Sequence, residues 1–319
     1  MNPAKPNPAP VLDLIEAFRR SKTMFAAVEL GVFEGVREGG AELSRLLDAC
    51  ASLGLLEKRG DGSYANTPVA EEYLRRSSPG SLTGYIRYSN MALYSMWAHL
   101  EDAIREGSHR WKQTFGFEGG ALFDHFFRTP ATKREFLLGM HGFGQLSSPS
   151  VVRAVDLSRF HRLVDLGGAT GHLALAAVEC YPQMTAAVLD LPPAIEFARG
   201  FVDNPRVELI AGDFFADALP QADLYALGRI LHDWDEPKIV RLLARIHQAL
   251  PVGGGLLVAE KLLTPSNTPG HMQSLNMLIC TEGRERTLAE YDGLLRAAGF
   301  RQVDGVVTGT PLDVVLAIK

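Results

Sequence analysis

The stretch Arg162-Leu-Val-Asp-Leu-Gly-Gly-Ala-Thr-Gly-His-Leu-Ala-Leu-Ala-Ala177 reads as a buried strand, a glycine turn and the start of a helix. Leu163, Val164 and Leu166 form a short apolar run suited to a strand covered on both faces. Gly167, Gly168 and Gly171 interrupt it, and Leu173 to Val178 resumes with residues suited to a helix. Glycines at such a turn let the backbone bend sharply and let a ligand come within contact distance. The next apolar run, Thr185-Ala-Ala-Val-Leu-Asp190, ends in an acid about twenty residues past the turn, where a nucleotide-binding α/β fold grips two ribose hydroxyls.

From this unit outward, strands and helices alternate, which predicts an α/β fold with a doubly wound sheet. Further strands are expected at Val207–Asp213, Ala222–Ile230 and Leu256–Glu260, with helices at 236–250 and 287–298. A final strand pair is expected over Phe300–Lys319, turning at Gly309-Thr-Pro311. Ligands of such sheets bind outside the carboxyl ends of the strands. Asp165, Asp190, Asp213 and Glu260 all stand at such ends. One acid there could be a helix cap; four at one edge point to a cofactor site.

The N-terminal third differs. Helical spacing runs through 11–35 and 41–58, and Gly60-Asp-Gly62 then centres a small hairpin. Helix plus hairpin is a winged-helix pattern. Its helix carries Arg45 against Glu42 and Asp48, poor equipment for phosphates, so a packing or dimer module is expected rather than DNA binding. The net charge of −5 over 319 residues argues the same way. Helical stretches over 83–106 and 121–148 carry Tyr85, Tyr88, Met91, Tyr94 and Met96, expected mostly in the core. Met140 and Phe143 are candidates to face a pocket. Three widely spaced cysteines show no metal-ligand spacing, and no run is long and apolar enough to span a membrane. A cytoplasmic protein with reduced thiols, no metal, no nucleic-acid partner and no membrane partner is expected.

The turn Gly167-Gly-Ala-Thr-Gly171 departs from the G-x-G-x-x-G spacing of dinucleotide sites, and no Walker lysine follows it. An acidic, phosphate-poor cleft suits a cationic nucleoside such as S-adenosylmethionine, with Asp190 accepting from the ribose and Phe214 covering the adenine. His232, just past the fourth strand, falls at the same crevice. At its ordinary pKa of about 6.5 it is neutral at pH 7 and able to take a proton from an attacking hydroxyl. Glu260 and Glu285 are candidates to orient it.

Asp165-Leu-Gly-Gly-Ala-Thr-Gly171, Leu189-Asp-Leu-Pro192, Gly212-Asp-Phe-Phe215, Arg229-Ile-Leu-His-Asp-Trp234 and Glu285-Arg-Thr287 resemble the caffeate- and acetylserotonin-type O-methyltransferases. Met272 to Thr287, Ala103 to Gly107 and Leu157 to Phe160 are most similar to the acetylserotonin O-methyltransferase-like branch. The resemblance implies a Rossmann-like catalytic domain over 106–319, preceded by a mostly helical winged-helix dimerisation domain over 1–105, and a homodimer. It implies S-adenosylmethionine bound by Asp165, Gly167, Gly168, Asp190, Leu191, Asp213, Phe214 and Arg229, giving S-adenosylhomocysteine as product. His232 would be the general base, with Glu260 and Glu285 behind it. Met140, Phe143, Asp233, Asn276 and Cys280 would line the site of a small aromatic acceptor.

Three departures from the family pattern stand out. Ala169 replaces a glycine common among relatives. Cys280 replaces a glutamine that the acetylserotonin enzymes turn toward their substrate, which points away from acetylserotonin itself. The segment between Val32 and Arg45 is shorter by roughly one helix-turn unit, trimming the shared core of the dimer module. Carbon methylation or a non-methylating reaction on the same fold is the neighbouring alternative. A silent small-molecule-binding or regulatory protein is the more distant one, opposed by the intact His232 and both glutamates.

Overall fold

The structure is a computed structural model that describes residues 6–35, 40, 42–117 and 122–319. Ala41 and Ala121, the first residues of two expected helices, lie outside the described residues. So do residues 36–39 of the shortened corner between Val32 and Arg45. The chain divides into two compact units, Met1–Met91 and Ala92–Lys319, so the break comes before the expected boundary at 105.

In the first unit the helix Ala9–Glu29 buries Ala27 and Val28, which join Phe33, Cys50, Leu56, Ala70, Leu74 and Ile86 in one core. Earlier on that helix Val11, Leu12, Leu14, Ile15 and Phe18 are each more than half exposed. The helix Leu43–Ser52 precedes strands β1 (Leu56–Lys58) and β2 (Tyr64–Asn66), which pair antiparallel. The Arg59 N–H donates to the Ser63 carbonyl at 2.8 Å, closing the hairpin around Gly60-Asp-Gly62. The wing is therefore present, and Arg45 is committed to an exposed ion pair with Glu42.

The second unit is built on seven strands: β3 (Arg162–Leu166), β4 (Thr185–Asp190), β5 (Val207–Ala211), β6 (Leu224–Gly228), β7 (Gly255–Glu260), β8 (Gln302–Val306) and β9 (Asp313–Ile318). Their order is β5-β4-β3-β6-β7-β9-β8, with β3 to β7 parallel and β9 running antiparallel between β7 and β8. The order reverses between β3 and β6, which opens a crevice at their carboxyl ends. Leu163, Val188, Leu224, Leu257 and Val314 are buried within one core with the helices Pro130–Ala154 and His172–Cys180. The helix Glu236–Ala249 turns Ile239, Leu242, Leu243 and Ile246 inward, a repeat that places one stripe against the sheet. The expected doubly wound α/β architecture is the one observed.

Two helical regions differ from expectation. The stretch 83–106 is broken into Thr83–Tyr88, a π-helical turn Ser89–Leu93, Tyr94–Trp97 and Leu100–Glu106. Tyr88 and Met96 are core residues as expected, whereas Tyr94 is exposed. No element is expected from the sequence over 261–286, where the structure has the helix Thr268–Cys280, opening at Ser266-Asn-Thr-Pro-Gly270. Those residues are its start: the Asn267 side chain accepts the Gly270 N–H at 3.0 Å, and Pro269 sits in the first turn, where no N–H is missed.

Candidate active site

The strand β3 delivers Asp165 into the interior, where it is 1% exposed and its Oδ2 has no hydrogen-bond partner. The turn that follows is shaped for close approach. Gly167 has φ +75°, and a Cβ there would stand 2.5 Å from Ile230 Cδ1 and 3.3 Å from Phe214 Cε1. At Gly168 a Cβ would stand 2.5 Å from the Asp165 carboxylate. Only glycine fits these two positions without displacing its neighbours. Ala169 adopts φ +48°, a conformation that glycine takes without strain, which accounts for the glycine common at this position in the resembling family.

Asp190, at the end of β4, accepts the N–H of Ala169 at 2.8 Å and of Leu191 at 2.7 Å. The two carboxyls hold protons unusually well. Burial, and then the neighbouring Asp190 charge, push Asp165 up to about 7. Burial pushes Asp190 up to about 6 against the two N–H donors. Past β5, Asp213 accepts the Phe215 N–H at 2.8 Å, which orders the Phe214–Phe215 ring pair, 4.8 Å between centroids. Past β6, Arg229 has φ +59°, and its guanidinium lies 5.2 Å over the Phe143 ring, with Nε unpaired. The structure thus brings the turn, Asp165, Asp190, Leu191 and Phe214 to one end of the sheet, with Arg229 and Phe143 paired at the switch point. Met140, half-buried, lies on the same helix as Phe143.

His232 sits on the short turn Leu231–Asp233, almost fully buried. Its Nδ1 is 2.6 Å from Glu285 Oε1 and 3.2 Å from Glu260 Oε2. Glu260 is anchored from the other side, its Oε1 accepting the N–H groups of Ile230 at 2.9 Å and Leu231 at 2.8 Å. Two carboxylates on one nitrogen fix a proton there, so the neutral ring is the Nδ1–H tautomer and Nε2 is the atom that gains and loses the titrating proton. The Asp233 carboxylate is 3.7 Å from Nε2, beyond hydrogen-bond range. These three ligand-type side chains could also hold a cation, their atoms lying within 4.8 Å of one another. A 2.6 Å contact between two of them is shorter than the roughly 3 Å between ligands each about 2.1 Å from one ion, and is the length of a strong charge-assisted hydrogen bond.

The expectation of an unperturbed, neutral His232 at pH 7 is corrected by this surrounding. Burial alone would lower its proton affinity, but the charges of Glu260, Glu285 and Asp233, with the Glu285 hydrogen bond, outweigh it and raise the imidazole to about 9. Burial raises Glu260 to about 7 and Asp233 to about 6, each partly offset by His232. The cluster holds protons tightly because it places three acids around one base.

Asn276 and Cys280 occupy successive turns of the helix Thr268–Cys280, and both are buried. The Asn276 Nδ2 points at Cys280 Sγ at 3.7 Å, and the thiol donates to the Asn276 carbonyl at 3.0 Å. Burial, then the Asp233 charge, pushes the thiol far above its ordinary range, so it stays protonated. The segment beyond returns to the base: the Glu282 N–H donates to the Asp233 carbonyl at 3.1 Å, and Gly283 lies directly against the His232 carbonyl.

Sequence reasoning missed several residues of this neighbourhood. The Trp97 indole N–H donates to Asn276 Oδ1 at 2.9 Å, and the Trp111 indole donates to the Cys280 carbonyl at 2.8 Å. His141 Nδ1 pairs with Thr170 Oγ1 at 2.9 Å, bracing the glycine turn from the helix Pro130–Ala154. Ser148 pairs with His172 Nδ1 at 2.9 Å, and burial lowers that histidine to about 3, so it stays neutral. Nothing in their local spacing sets them apart from core residues.

Comparison with known proteins adds to this geometry. Residues 97–301 match an O-methyltransferase domain, and residues 41–76 match an O-methyltransferase dimerisation domain. The chain is 41% identical to the acetylserotonin O-methyltransferase of Bos taurus, over 95% of each protein. It is 40% identical to a probable bifunctional dTTP/UTP pyrophosphatase/methyltransferase protein of Homo sapiens, covering 98% of this chain and 54% of that protein. Human N-acetylserotonin methyltransferase, solved in complex with S-adenosylmethionine, superposes with a TM-score of 0.94 at 37% identity. That match covers 100% of this chain and 99% of the other.

Proposed function

The chain belongs to the S-adenosylmethionine-dependent O-methyltransferases, and from that premise we propose that it methylates a hydroxyl of a small phenolic molecule, with His232 as general base. One observation carries the reading: His232 has both glutamates on Nδ1 and an unencumbered Nε2.

The residues present fit the cofactor. Gly167 and Gly168 form a turn bare of side chains where no Cβ has room, Asp190 sits at the strand end with a carboxylate able to accept from two hydroxyls, and Arg229 has a free Nε. When bound, the sulfonium supplies an electrophilic methyl group. The work of this chain's own residues is to hold the acceptor and move its proton. His232 Nε2 accepts the hydroxyl proton while Nδ1–H stays on Glu285. A phenol of pKa about 10 lies much closer to this raised imidazole than to an ordinary histidine, for which complete transfer is about 5 kcal/mol uphill. The buried carboxylates stabilise the imidazolium that forms. The same proton affinity means that His232 is largely protonated at pH 7, so turnover rises with pH toward about 9.

The acceptor differs from acetylserotonin in our reading, because Cys280 offers a buried thiol where that substrate's enzymes carry an amide. Homodimer formation is supported by the dimerisation-domain match and by the apolar strip Val11, Leu12, Leu14, Ile15 and Phe18 on its N-terminal helix. No described helix is long and apolar enough to cross a membrane, and the unpaired thiols of Cys50, Cys180 and Cys280 support a cytoplasmic setting. Incubation with methyl-labelled S-adenosylmethionine and a panel of phenols, catechols and indoles tests the reaction, with label expected on a phenolic oxygen by mass. Label on carbon, or cofactor binding without any labelled product, would overturn it.

A further inference from the structure

The Asn276 amide is 8% exposed, and its two ends are not equivalent. An indole N–H can only donate, so the Trp97 contact at 2.9 Å must be to oxygen, and this fixes which end of the amide faces Trp97. The –NH2 end therefore points away. One of its N–H groups reaches Cys280 Sγ at 3.7 Å, a weak acceptor whose own proton is spent on the Asn276 carbonyl. The second N–H has no protein partner among the described residues. A buried donor without an acceptor is uncommon in a folded protein and marks a place where a ligand atom completes the bond.

That donor lies on the wall of the proposed acceptor site. Cys280 lies one turn on, and the chain beyond it bonds the Asp233 carbonyl through the Glu282 N–H and packs on the backbone of His232. We infer that Trp97 is a positioning residue: it locks Asn276 with its N–H toward the acceptor, and so selects phenols that carry a hydrogen-bond-accepting oxygen, a ketone or ether, away from the methylated hydroxyl. This rests on the methyl transfer proposed above and adds a substrate feature to it. Without the indole N–H the amide can turn over, and its carbonyl would then face the oxygen of the acceptor.

The test pairs para-hydroxyphenyl butanone with para-butylphenol, which match in length and in phenol acidity but differ in the ketone. In Trp97→Phe, which keeps a ring and removes the N–H, KM for the ketone is expected to rise about tenfold while kcat and the KM for butylphenol stay within about twofold. Added to Asn276→Leu, the Trp97→Phe change is expected to do nothing further, because Trp97 acts through the amide. Equal losses on both phenols, or in both backgrounds, would show a packing role and overturn the inference. The chain has three tryptophans, so the indole N–H resonance lost in Trp97→Phe is readily assigned. That resonance is expected to move upfield in Asn276→Leu, and a fixed position would overturn the inference. Titration calorimetry of both phenols gives the comparison without turnover. A wild type that binds the ketone better but methylates neither phenol counts against the methyl-transfer reading alone, and equal affinity for both overturns the ketone selection.

Discussion

Asp165, Gly167, Gly168, Asp190 and Leu191 come from one β–α–β unit of chain, whereas Trp97, His232, Glu260, Asn276 and Glu285 are gathered from both ends of the catalytic unit. The first group works largely through backbone: missing Cβ atoms, N–H groups held by one carboxylate, and a strand that ends at the right place. The second works through side chains whose partners are remote in sequence. Binding geometry that resides in the main chain is compact in sequence and tolerant of its surroundings. Proton chemistry needs several charges brought together, and the fold alone does that.

This division can be broken or sharpened by substitution. The largest effect is expected from His232→Ala, which should lower turnover by about 10²–10⁴-fold and leave cofactor affinity by calorimetry nearly unchanged. Full activity would remove the base assignment, and a parallel loss of affinity would show that the two halves are not separable. Next is Asp190→Ala, expected to weaken cofactor binding at least about tenfold while kcat at saturation holds, since a charged acceptor is lost. Unchanged titration curves would rule out its role.

A smaller and more diagnostic effect is expected from Glu285→Gln. In the wild type the proton-bound, inactive form of His232 persists to about pH 9, so log kcat/KM climbs across pH 7–9. Removing one of the charges that raise it should move the rising limb to lower pH by about one unit or more. A limb that stays in place means another group titrates. The smallest effect belongs to Asp165→Asn. A carboxyl that holds its proton to about 7 when folded, against an ordinary 3.8, stabilises the fold below about pH 4 and loses that contribution as pH rises through 7. The variant's thermal midpoint should therefore fall less than that of the wild type between pH 4 and 8, in protein free of cofactor.

The same contrast explains what could be read in advance. The alternation of strands, the glycine turn and the acids at four strand ends follow from periodicity and punctuation, and each stands where expected in the sheet. His232 was legible as a residue at a strand end, but its proton affinity was not, because that depends on Glu260 and Glu285 meeting at one nitrogen. The helix Thr268–Cys280 was not expected, although Asn267 as cap and Pro269 in the first turn were available signals. Trp97 gave none: its role is set by a hydrogen bond to a residue 179 positions away.

Arg229 sets a limit on how this protein can be improved. It is a non-glycine residue at φ +59°, a conformation that costs roughly 1–2 kcal/mol, and it is held there beside the crevice. Glycine at that position would relax the main chain while removing the guanidinium from above Phe143. A library screened for heat resistance alone would therefore reward Arg229→Gly, and in doing so would enrich sturdy molecules with an impaired cleft. Selection for durability and selection for turnover pull in opposite directions at this one residue, and any engineering campaign on the scaffold should score both from its first round.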